Sequence, residues 1–128
     1  MRELSRTIGL VQTVAPAVLT ANATGSAIDL QGFESATLVV NTGAVAGSGD
    51  FSIKLQESDT TSGGDFTDVA AAHLIGTLPA TLEADSVVKQ GYAGHKRYLR
   101  TLVTRNSGTS IAASATLIKG HAHERPVA

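Results

Sequence analysis

The chain has 128 residues, a formal net charge of −1 from 10 basic and 11 acidic side chains, and no Cys. That length suits one domain. The balanced charge argues against polyanion binding driven by bulk charge, and the missing thiols exclude disulfides, Cys-ligated zinc, iron–sulfur clusters and thiol catalysis.

Leu, Ile, Val and Phe make up a quarter of the chain, and Ala, Gly, Ser and Thr nearly half. The expected core is therefore lean, built from small and β-branched residues with few aromatics. Residues 1–22 read as an arm. Met1-Arg2-Glu3-Leu4-Ser5-Arg6 has the basic start of a signal peptide, but Thr7, Gly9, Gln12, Thr13 and Pro16 break what would be its apolar core. No apolar run is long enough for a transmembrane helix, so a soluble protein made in a cytoplasm is expected. Leu4, Ile8 and Val11 are spaced for one face of a short helix that Pro16 ends. Such a segment reads equally as one that orders on a partner surface and as a frayed terminus. Asn22-Ala23-Thr24 matches a glycosylation sequon, read as coincidence in an Ala/Thr-rich stretch.

From residue 26 the period turns to two. Ile28 and Leu30 alternate with Asp29 and Gln31, Gly32-Phe33-Glu34 reads as a turn, and Ala36, Leu38 and Val40 share the next face. Gly43 to Gly49 is a glycine-rich hairpin connection rather than a phosphate loop, because a strand and not a helix follows it. In that strand Phe51, Ile53 and Leu55 point one way and Ser52, Lys54 and Gln56 the other. Ser58 to Gly64 is a loop. Asp68 could cap one or two helical turns that Gly76 closes. Residues 77–85 are irregular around Pro79, and Val87, Val88 and Lys89 form a short strand. Residues 97–106 and 111–119 predict a β-hairpin with a loop of about five residues. The whole predicts an all-β protein, an antiparallel β-sandwich or jelly-roll-like domain over 23–120. It carries the N-terminal arm 1–22, a C-terminal tail 121–128 and at most one short helix.

No constellation carries catalysis. Ser, His and Asp occur without a nucleophile elbow, and Asp59, Asp65 and Asp68 lack the calcium-loop pattern. His121 and His123 would share a face on a strand and could reach one ion, but they lie in the tail, so a polar tail is the reading and no metal is assigned. His95-Lys96-Arg97, Arg100 and Arg105 form the one basic concentration. Arg97 and Arg105 share parity, Arg100 opposes them, and Tyr92 and Tyr98 are the nearby aromatics. Divided charge and few stacking rings argue against nucleic-acid binding. Ion pairing at a protein interface and solvated strand charges remain open.

Three stretches together resemble a known group. They are Ser26 to Thr37 (SAIDLQGFESAT), Leu55 to Asp59 (LQESD) with Phe66 to Val69 (FTDV), and Gly91 to Arg100 (GYAGHKRYLR). Their order is similar to that in small head decoration, or cement, proteins of tailed bacteriophages and prophages, and their virion relatives, over about residues 24–120. The resemblance implies a non-enzymatic, commonly homo-oligomeric β-sandwich on the outside of a capsid. There it bridges subunits of the major capsid protein against the pressure of packaged DNA, with no cofactor, membrane or nucleic-acid partner. Tyr92, Lys96, Arg97, Tyr98 and Arg100 match the motif and are nominated as structural or interface positions, with no catalytic residue. A minor neck or tail component, a carbohydrate- or host-surface-binding module and, weakest, a small hydrolase are the competing expectations.

Overall fold

The structure is a computed structural model that describes residues 3–124 and 126–127. Its strands are β1 (Gly9–Leu19), β2 (Ala23–Thr24), β3 (Ile28–Asp29), β4 (Phe33–Ala46), β5 (Asp50–Ser58), β6 (Thr67–Asp68), β7 (Leu74–Ile75), β8 (Val87–Tyr92), β9 (Tyr98–Ser107) and β10 (Ser110–Ala122). The first sheet runs β1-β10-β4-β8-β7 and the second β2-β9-β5-β6, with β3 also pairing β9. All pairings are antiparallel. The fold is the expected antiparallel sandwich.

Alternation dictates the core. Leu38 and Val40 of β4, Ile111, Ala115 and Leu117 of β10, Phe51, Ile53 and Leu55 of β5, and Leu99 and Val103 of β9 are buried in one cluster between the sheets. Each large side chain there contributes roughly 1.5–3 kcal/mol by leaving water. Small residues such as Ala36, Ala113 and Ala115 fill the remaining positions, so the core is as lean as the composition implied.

Several local expectations are corrected. Gly9–Leu19 is not helical: it is a full edge strand along β10, from Gly9 opposite Lys119 to Leu19 opposite Ile111. Irregularities between Gln12 and Val14 and between Val14 and Ala17 interrupt its alternation, and the spacing of Leu4, Ile8 and Val11 imitated a helix because Leu4 and Ile8 lie before the strand and only Val11 within it. Asp68 caps no helix but ends β6, and only a single 3₁₀ turn, Ala71–His73, lies between it and Gly76. Strand β10 runs on to Ala122, past the expected start of the tail.

The two expected hairpins are not hairpins. Strand β4 lies in the first sheet and β5 in the second, and β9 and β10 are likewise divided. Each tight connection carries the chain across the sandwich instead of folding it back beside itself. The two crossings stack. A Cβ on Gly108, at φ +77°, would stand 2.5 Å from the Gly49 Cα, so only glycine permits this approach.

The side of the sandwich next to β1 is closed by a buried hydroxyl pair. Thr13 of β1 and Thr101 of β9 meet at 2.6 Å, and the Gly25 amide donates to the Thr101 carbonyl at 2.8 Å. A Cβ on Gly25 would lie 2.6 Å from the Thr13 carbonyl oxygen. No helix is long and apolar enough to cross a membrane among the described residues.

Candidate functional site

The nominated residues come together at one end of the sandwich, where β8 passes through residues 93–97 into β9. Tyr92, the last residue of β8, turns inward and is buried. Its hydroxyl donates to Glu57 Oε2 at 2.7 Å, crossing from the first sheet to the second. The Tyr92 hydroxyl oxygen also accepts from the Lys96 amide at 3.1 Å. Burial first, and then the Glu57 hydrogen bond, push the Tyr92 phenol well above its ordinary value, so it stays a neutral donor. Gly94 has to be glycine here, since a Cβ would stand 2.5 Å from the Tyr92 ring.

The basic residues are spent inside the chain. Lys96 Nζ pairs with Asp59 at 2.7 Å, a hydrogen bond that raises the lysine above its usual value. Arg97 grips Asp29 with two parallel bonds, Nε to Oδ1 at 3.0 Å and Nη2 to Oδ2 at 2.8 Å. The Arg97 hydrogen bond is the main reason the Asp29 carboxyl falls to about 2. The Arg97 guanidinium also lies over the Tyr98 ring at 5.1 Å. Arg100 donates to Gln56 Oε1 at 2.8 Å and covers the Phe66 ring at 4.4 Å. Gln56 in turn donates to Asp68, which also pairs with Lys54.

Sequence reasoning grouped side chains that lie near one another in the fold but missed their partners. Glu57, Asp29, Asp59 and Gln56 come from β5, β3 and the loop after β5, and only folding brings them to the 91–100 run. One signal was available. Glu57 has the parity of Phe51, Ile53 and Leu55, so the alternation already placed a carboxylate on the core face.

All four histidines gather near this end. His73 and His95 stack edge to face with ring centroids 5.8 Å apart, and His73 Nδ1 has no partner among the described residues. His121 Nδ1 bonds Ser35 Oγ at 2.8 Å, whereas His123 Nε2 faces Glu34 at 3.3 Å. His121 has a φ of +51°, which breaks the alternation that would have aimed both rings at one ion. The described residues contain no group of three metal-ligating side chains. A groove of about 580 Å³ runs past Phe33, Ser35, Tyr92, His95, Arg97 and His123.

A second candidate surface is the outer face of the first sheet. Register aligns its side chains in rows across the strands. One row is Leu10, Ile118, Thr37, Gly91 and Ile75. The next is Gln12, Thr116, Val39 and Lys89, followed by Ser114, Asn41 and Val87. Lys89 is the one charge in these rows. Leu10, Val18, Ile75 and Val87 are each 65–66% exposed, and all four project from this face or its margin. The outer face of the second sheet is the opposite in character, carrying the linked Lys54, Asp68, Gln56 and Arg100.

No family model matches the chain, and no curated protein matches it. Among solved structures, the chain is similar to that of the SPBc2 prophage-derived protein YomS, at 14% identity and a TM-score of 0.48, over 88% of this chain and 93% of that one.

Proposed function

We propose that this chain is a non-enzymatic structural protein of a tailed-phage particle, seated on the outside of the head and bridging subunits of the major capsid protein. The observation that carries the docking part of this reading is the difference between the two outer faces. The first sheet presents Leu, Ile, Val and Thr interleaved with the uncharged Gln12, Ser114 and Asn41 and a single lysine, while the second is closed by its own ion pairs and hydrogen bonds. A face with several exposed apolar side chains and little charge is the kind of surface that protein partners cover. Covering it contributes roughly 25 cal/mol per Å² removed from water. The head placement rests on the resemblance of the three sequence stretches.

In this reading the 91–100 run acts inside the subunit. Tyr92, Lys96 and Arg97 lock the loop after β8 onto β5, the loop after β5 and β3, while Arg100 ties β9 to its neighbour β5 through Gln56. They present a firm end to the sandwich, and Tyr98 supports the Arg97 guanidinium. Binding to an assembled shell then stabilises the lean domain by mass action.

The test is the copy number of this chain in purified particles, measured against the major capsid protein by quantitative mass spectrometry. A ratio of order one supports shell decoration. A trace ratio moves the chain to the neck or tail, and complete absence returns it to a binding module for a host surface or carbohydrate.

A further inference from the structure

We infer that the free edge of β1 pairs with β1 of a second copy of this chain, antiparallel, about a two-fold axis at Leu10. The four path ends of the two sheets are treated very differently. Strands β2, β6 and β7 are two residues each, whereas β1 has eleven. Short edge strands are a standard protection against unwanted strand addition, and charges on the edge are another. Strand β1 has neither over its regular start, since residues 7–28 contain no charged side chain at all, and its irregularities and Pro16 protect only the part after Gln12. It pairs with β10 on one side and with no second strand among the described residues on the other.

The regular part of the edge sets the register. β1 keeps unbroken register with β10 from Gly9 to Gln12, and its first irregularity follows Gln12. A two-fold axis at Leu10 sets Leu10 opposite its mate, Gly9 opposite Val11, and Ile8 opposite Gln12. That span ends with the regular edge at Gln12 and reaches one residue before the strand at Ile8. Opposed residues in an antiparallel pair project to the same side, so the axis joins the outer faces of two copies into one ten-stranded surface. It also covers Leu10, which is 65% exposed in the single chain, against an identical side chain. A symmetric pair places every residue near its own kind, and an uncharged strand meets no like-charge repulsion in doing so. Within the second irregularity, Pro16 lacks an amide donor and stops the ladder from spreading.

Natural absence of Cys makes the test direct. The full-length chain is examined by sedimentation at high micromolar concentration, and Leu10→Cys and Val87→Cys are each treated with a short bis-maleimide. The expected result is a dimer that links efficiently through position 10 and not through position 87. Leu10→Lys, at an exposed site, is expected to weaken that dimer by about tenfold or more while keeping the amide spectrum of the folded chain. A monomer overturns the proposal. So does a dimer that links through position 87 alone, which would place the contact on the outer face. A dimer untouched by Leu10→Lys overturns it too. The measurement needs no particle, so its outcome is independent of whether the chain sits on a head.

Discussion

The Tyr92 hydroxyl and the Glu57 carboxylate meet at 2.7 Å across the gap between the two sheets, each from a strand position that otherwise faces the core. The bond satisfies a buried carboxylate and fastens the end of β8 to β5. Tyr92→Phe removes the donor and leaves the carboxylate without this partner, a loss of about 1–3 kcal/mol. Equilibrium denaturation should show it. Glu57→Gln, which keeps an acceptor, should lose less, and equal losses would mean that the hydrogen bond is not what holds the two strands.

Asp29 titrates at about 2 because Arg97 holds it. A carboxyl with a depressed folded value adds stability above its unfolded value, roughly 3.9, and that stability is lost as pH falls through the folded value. Stability should therefore decline between pH 4 and pH 2, and Asp29→Asn should flatten that part of the profile. In Arg97→Ala the Asp29 carboxyl should rise toward the ordinary range, read by NMR titration. Arg97→Lys should restore little, since an ammonium cannot make the paired bonds.

Strand β1 belongs to the sandwich, with Val14 buried and the Thr13 hydroxyl on Thr101. Removing residues 1–19 should strip β10 of one of its two neighbours and abolish the dispersed amide spectrum of a folded β-protein. A truncated chain that stays folded would return these residues to the role of a tether.

Gly25→Ala should destabilise, because its Cβ would fall 2.6 Å from the Thr13 carbonyl oxygen, an approach that real side chains do not make. The cost expected from such overpacking is about 1–3 kcal/mol. Gly32→Ala meets no atom within 4 Å but sits at φ +90°. It should therefore lose stability through backbone strain alone, so comparing the two in one denaturation series separates steric clash from strain.

Much of the sandwich was legible in the sequence. The alternation of Phe51, Ile53 and Leu55 and of Ala36, Leu38 and Val40 named the core faces of β5 and β4, and both faces are buried. What alternation cannot carry is which sheet a strand joins. A short turn between two strands looks the same whether they pair or part, so the 47–49 and 108–109 connections read as hairpins although both cross the sandwich. Strand β1 escaped because its irregularities spoil the period of two. The candidate site was half legible: the run from Tyr92 to Arg100 stood out as a cluster, but Asp29, Glu57 and Asp59 reach it only through tertiary folding. The apolar outer face was invisible without register, since Leu10, Ile118, Thr37, Gly91 and Ile75 come from five different strands.

The most direct test of the account is to charge the outer face and measure binding to shells that lack this chain. Ile75 and Val87 are 65% and 66% exposed, so Ile75→Glu with Val87→Glu should leave the fold and its unfolding midpoint unchanged. Co-sedimentation with the shells is predicted to fall by about tenfold or more for the double variant, while a pair of changes at unopposed positions on the second sheet's outer face, Thr24→Glu with Ser52→Glu, leaves it intact. Undiminished sedimentation of the Ile75/Val87 variant, or loss only with the second-sheet variant, would contradict docking through the first sheet.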